Sequence, residues 1–138
     1  MRRVFADAGY WIAITFRNDS LHQKARDASD QLSQDGSCQL VTSEMVLSEL
    51  LSHASNKGEE ARFAAAQAVR AIRRNSNVLV HAQTSELFED ALRKYERSGD
   101  KSWSLTDCAS FVLMQQNEIR EALAHDRHFR QAGYRTLL

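Results

Sequence analysis

No proline occurs anywhere in the chain, cysteine appears only twice, and no apolar run approaches the length of a membrane helix. Each absence removes a class of protein. Without proline there is little from which to build a hinge between domains. Cys38 and Cys108 lie far apart in sequence, lack zinc-type spacing and frame no disulfide scaffold, so buried free thiols are expected. A bilayer-crossing helix needs roughly 20 apolar residues, and Met1-Arg2-Arg3-Val4-Phe5-Ala6-Asp7 meets an acid too early for a signal peptide. The expected setting is the cytoplasm, with no membrane association. Excess charge is missing too: 18 basic and 18 acidic residues give a formal net charge of +0. Many non-specific nucleic-acid binders carry an overall basic footprint, so any nucleic-acid site here must be local.

What is present suits one soluble domain spanning residues 1–138, with 43% apolar and 26% charged residues over 138 positions. Arg3 to Ala6 reads as a first strand and Tyr10 to Phe16 as a short helix. A second helix runs from Leu21 to about Gln34, with Asp19 or Ser20 able to cap it. Gln39 to Thr42 is a second strand. Ser43 opens a helix to about Ser55, and Glu59 to Arg74 forms another. Asn77 to His81 is a third strand. Thr84 or Ser85 caps a helix to about Arg97, laced by Glu89 with Arg93 and Asp90 with Lys94. Ser104-x-x-Asp107 before an apolar run fits a capping box. Glu121 to Ala124 is a fourth strand, Arg127 to Gln131 a turn of helix, and Tyr134 to Leu137 a fifth, edge strand. Strands separated by helices require parallel crossovers. The expected fold is therefore a three-layer α/β/α sandwich with a parallel sheet of four to five strands.

The acids carry the functional signal. Asp7 follows the first strand and Asp126 the fourth, and open α/β sheets bind ligands outside the carboxyl ends of strands where strand order reverses. If those strands are neighbours, the two acids face each other. A bland role also exists for each, as a loop Asp accepting from nearby backbone N–H groups. At 100° per residue, Glu49 projects from the edge of the buried stripe of its helix, near His53, where it must snorkel outward, pair with a cation or meet other acids. The same wheel puts Asp107 on the core-facing side with Ser110, Phe111 and Met114. Asp7, Glu49, Asp107 and Asp126 can thus converge at one end of the sheet. Two unit charges about 4 Å apart repel by about 4 kcal/mol at an effective dielectric near 20. Such a cluster needs protons or a divalent cation, and all-oxygen ligation suits Mg²⁺ or Mn²⁺, ions that activate water for in-line displacement at phosphodiesters.

In this ordered set the chain resembles the PIN-domain nucleases, and within them the ribonuclease toxins of VapBC-type toxin–antitoxin pairs. The resemblance rests on Val4-Phe5-Ala6-Asp7, Asp19-x-x-His22-x-x-Ala25, Val46-Leu47-Ser48-Glu49-Leu50, Trp103-Ser104-Leu105-Thr106-Asp107 and Asp126-Arg127-His128-Phe129-x-x-Ala132-Gly133. It implies a parallel α/β sandwich with first and fourth strands adjacent, and a Mg²⁺- or Mn²⁺-dependent endoribonuclease. Asp7, Glu49, Asp107 and Asp126 would be its acidic quartet, both metal-holding and catalytic, with Thr106 or Ser104 helping to hold a water or phosphate. It also implies RNA as substrate, a protein antitoxin as partner and a homodimer. Ala8 departs from the Thr or Ser that many members place after the first Asp. The alternative is a PIN-fold module that binds RNA or a protein without catalysis.

Other groups read more plainly. His125 and His128 flank Asp126 without a recognised zinc spacing, so His128 is expected to cap or pack beside the site. Arg62, Arg70, Arg73 and Arg74 give one helix a basic bias, a solvated face or a surface for phosphates. Trp11, Ile12, Ile14 and Phe16, and the stripe of Phe63, Val69 and Ile72, are core candidates, any exposed part of which would serve an interface.

Overall fold

Alternation of short β-branched runs with longer amphipathic ones produces five parallel strands and seven helices. The computed structural model describes residues 1–138. In chain order the elements are β1 (Arg2–Ala6), α1 (Ala8–Thr15), α2 (His22–Gln34), β2 (Cys38–Ser43), α3 (Glu44–Ala54) and α4 (Glu59–Arg74), then β3 (Val78–His81), α5 (Ser85–Arg97), α6 (Leu105–Gln116), β4 (Glu121–Leu123), α7 (Arg127–Gln131) and β5 (Arg135–Thr136). The strands lie in the order β3-β2-β1-β4-β5. From β1 the chain steps outward to β2 and β3, then returns across the sheet to β4. Strand order therefore reverses between β1 and β4.

That reversal builds the two outer layers. Right-handed crossovers running in opposite directions deposit their helices on opposite faces. Accordingly α1 packs on α2 and α3, and α3 on α4, whereas α5 packs on α6 and α6 on α7. The central strands are covered on both sides and read as apolar without alternation: Val4, Phe5, Ala6, Ala122 and Leu123 are all 0% exposed. An aromatic group fills the second face, where Phe111 of α6 lies edge-on to Trp103 and Phe129, each with ring centres 5.0 Å away, and 5.8 Å from Tyr134.

Local chemistry fixes most helix starts. Ser43 and Thr84 accept from the amides of Val46 and Leu87, and Asp126 from that of His128. In the Asp19-x-x-His22-x-x-Ala25 motif each member is structural. Asp19 accepts from the Leu21 amide, His22 donates from Nδ1 to the Ala13 carbonyl at 2.6 Å, and Ala25 is fully buried, which seats α2 on α1.

Several sequence expectations need correction. Asp90 pairs with Arg93, three residues on, and not with Lys94. The Lys94 ammonium instead lies 6.0 Å from the centre of the Trp103 ring, a cation–π contact. Cys108 is buried but Cys38 only half-buried. Phe63 is 67% exposed, because its helix turns Ile72 and Ala65 inward instead. His53 stacks on Phe16 at 5.8 Å and leaves Glu49 unpaired with it.

Helix α6 ends on a left-handed residue that is not glycine. Glu118 has φ +56°, the Ile119 amide donates to Met114 O at 2.8 Å and the Glu118 amide to Gln115 O, the paired bonds of a Schellman turn. A side chain in that region costs about 1–2 kcal/mol, partly offset by the extra freedom glycine has when unfolded. Glu118→Gly is expected to raise stability by about 0.5–1 kcal/mol, seen as a higher denaturant midpoint at unchanged slope. An unchanged or lower midpoint would show the strain to be absent.

Candidate active site

Strand β1 delivers Asp7, and its neighbour β4 delivers Asp126. The pairing of Phe5 with Ala122 and Ala6 with Leu123 continues through the Asp7 amide, which donates to Leu123 O at 3.1 Å. Beneath Asp7 a buried relay holds the strand end. Trp11 Nε1 donates to Thr42 Oγ1 at 3.2 Å, and that hydroxyl donates to Ala6 O at 2.9 Å. Helix α3 contributes Glu49 and helix α6 contributes Asp107. All four acids line one cleft of about 520 Å³ with Ala8, Gly9, Ser104, His125 and His128. The sequence-predicted quartet is thus brought together, at the point where strand order reverses.

No lysine or arginine lines this cleft, and no residue of the basic α4 reaches it. Arg62 is occupied elsewhere, donating to the Ser55 carbonyl after α3. Asp7 starts α1 without a side-chain capping bond, and neither it nor Glu49 has an ion-pair partner. Burial pushes the Asp7 carboxyl up to about 7; the Ala8 amide offsets part of this, and Asp107, Glu49 and Asp126 add repulsion. Glu49 is raised by burial and by Asp107, with the neighbouring Thr106 hydroxyl pulling the other way. Of the two hydroxyls, Ser104 lines the cleft and Thr106 does not.

Asp107 does both jobs that its sequence position allows. The capping box is complete: the Asp107 amide donates to Ser104 Oγ and the Ser104 amide to Asp107 Oδ2, each at 3.0 Å. The side chain is nonetheless 13% exposed, on the cleft-lining side of its helix. His128 joins the acids from α7. Its Nδ1 lies 2.9 Å from Asp107 Oδ2 and 3.2 Å from Asp126 Oδ1. Sequence spacing placed His128 near the site but could not supply this double contact, which depends on how α7 sits against α6.

As placed, no group of three or more His, Cys, Asp or Glu side chains stands close enough together to hold a metal ion. The donor chemistry still fits a hard divalent ion. Four carboxylates with no lysine or arginine among them offer an oxygen-rich site, and Mg²⁺-type ions bind through one or two carboxylates while keeping several waters. A cation would also relieve the repulsion that raises Asp7 and Glu49.

Comparison with known proteins adds the wider frame. The family model described as PIN domain matches residues 4–133. The chain is 30% identical over 132 residues to the 23S rRNA-specific endonuclease VapC20 of Mycobacterium tuberculosis, in each of two strains, covering 95% of both chains. Its fold superimposes on the crystal structure of M. tuberculosis VapC20, described as a sarcin–ricin loop cleaving toxin, with a TM-score of 0.81, 28% identity and 95% coverage of each chain.

Proposed function

The chain belongs to the PIN-domain family, and from that premise we propose that it is an endoribonuclease, the toxin of a toxin–antitoxin pair, working with Mg²⁺ or Mn²⁺ held by Asp7, Glu49, Asp107 and Asp126. The observation that carries the proposal is the cleft at the β1–β4 junction, where four carboxylates meet with no lysine or arginine to neutralise them. A divalent cation bound there supplies the positive charge that a phosphodiester needs and lowers the proton affinity of a water. The chain's own groups do the rest. Asp7 and Asp107, fixed by a strand end and a capped helix start, hold the ion. Glu49, whose proton affinity burial raises, would complete the site by ligating the ion or by accepting the proton of the attacking water. The protein partner is an antitoxin that covers this cleft or its approaches, and a second copy completes the assembly.

Because water and not the RNA 2′-hydroxyl attacks, the products are expected to carry 5′-phosphate and 3′-hydroxyl ends. The VapC20 relatives make 23S rRNA the first substrate to try. End analysis of the fragments tests the chemistry: 2′,3′-cyclic phosphates would overturn it. No helix is long and apolar enough to cross a membrane, so the assay can be run on the whole chain in buffer.

A further inference from the structure

His128 belongs to no acid quartet, yet no other side chain touches two of its members. Both carboxylates are acceptors only, so the Nδ1 that faces them must carry the proton. The ring's other nitrogen, Nε2, lies 3.3 Å from Ser102 Oγ, which can donate to it. The imidazole is thereby pinned at both ends, and its side chain is only 18% exposed.

The pattern of occupied oxygens gives the ring its meaning. Asp107 Oδ2 accepts twice, from the Ser104 amide and from His128 Nδ1. Asp126 Oδ1 is likewise taken, by the His128 amide at 2.6 Å, and lies 3.2 Å from the same Nδ1. Asp107 Oδ1 and Asp126 Oδ2 accept from no protein donor. One residue therefore consumes one oxygen of each carboxylate and leaves the other to the cleft. It also ties α6 to α7, elements whose acids would otherwise repel.

We propose that His128 is a positioning residue that ties Asp107, held by its Nδ1–H, to Asp126, held by its backbone amide with the ring 3.2 Å away, and so selects which oxygen each leaves free for a metal. The proposal rests on the metal-dependent reading of the cleft given above. Partners that orient metal ligands typically matter by about 10–100-fold in metal affinity or activity. The clamp needs a hydrogen-bond donor at the Nδ1 position, which the amide nitrogen of asparagine can supply and that of the longer glutamine cannot.

The experiment compares His128→Asn, His128→Gln and His128→Ala in the whole chain, measuring RNA cleavage across a Mn²⁺ titration with melting temperature as a control. His128→Ala and His128→Gln are expected to need about 10–100-fold more Mn²⁺ for half-maximal cleavage, or to lose kcat by that factor, with KM for RNA little changed. His128→Asn is expected to recover most of the loss. Two outcomes would overturn the clamp: wild-type metal dependence in His128→Gln, or His128→Asn as impaired as His128→Gln. If His128→Ala fails to fold, the Asn and Gln pair still decides. A wild-type chain that cleaves without any divalent ion would instead sink the metal reading on which the clamp depends.

Discussion

Asp7→Asn is expected to abolish RNA cleavage and to make the metal-free protein more stable. The first half follows from the place of Asp7 at the end of β1, the most central acid of the cleft. Losing a ligand that contributes about 4 kcal/mol to a charged transition state lowers the rate by about 1000-fold. The second half follows from its proton. A carboxyl whose value is raised from 3.8 to about 7 holds its proton more tightly in the folded chain than in the unfolded one. Its destabilising effect is absent well below pH 3.8, is only beginning at pH 4, and is complete above about pH 7. The full shift corresponds to about 4 kcal/mol at 1.36 kcal/mol per unit, and water at the cleft mouth screens this to about 1–2 kcal/mol. Asparagine carries no charge, so in EDTA at pH 8 it is expected to melt several degrees above wild type, and at pH 4 at nearly the same temperature. Added Mn²⁺ is expected to stabilise wild type and not the variant. Equal melting at both pH values would refute the burial argument. A wild-type chain indifferent to Mn²⁺ would favour the non-catalytic binding module.

Phe111→Ala is expected to cost about 3–5 kcal/mol, a large part of the roughly 5–15 kcal/mol that holds a domain together. Phe111 is 1% exposed and touches Trp103, Phe129 and Tyr134, so its removal leaves a hole bounded by three rings that α6, α7 and the β5 approach hold in place. Collapse around that hole is limited because each neighbour is anchored elsewhere: Trp103 Nε1 donates to Gln131, and Phe129 also packs on Phe5. Phe111→Leu is expected to cost under about 2 kcal/mol, since most of the volume is kept. Urea unfolding measures both. An alanine variant within about 1 kcal/mol of wild type would mean the aromatic group is not the keystone of that face. Asp107 sits one turn before Phe111, so cleavage by the alanine variant is expected to fall more steeply with temperature than that of the leucine variant.

These residues show where sequence is informative and where it is not. Helix α4 was legible to the residue, because Gly58 before it and the amphipathic stripe within it are local signals. Asp7 and Asp126 were legible as strand-end acids, and Glu49 by its helical angle, since period is written along the chain; that the two strands adjoin was implied only by the family resemblance, because sheet order is a long-range property. Asp107 was legible as a cap or as a site residue but not as both, because the two roles use the same helix start and differ only in which oxygen faces which neighbour. Asp90 could reach either Arg93 or Lys94 by spacing alone, and the ring of Trp103 decided the matter by claiming Lys94. The contact of His128 with two acids depends on the packing of α7 against α6. No local pattern encodes that.

The junction of β1 with β4 sets the order in which this cleft can come into being. Asp7 precedes Asp126 by 119 positions in the chain, yet their strands are hydrogen-bonded neighbours. A ribosome that has not yet released residue 126 carries a chain on which the first acid has no counterpart and β1 lacks one of its two flanking strands. The cleft therefore cannot close until β4 has docked beside β1, whatever part of the sheet has formed before it.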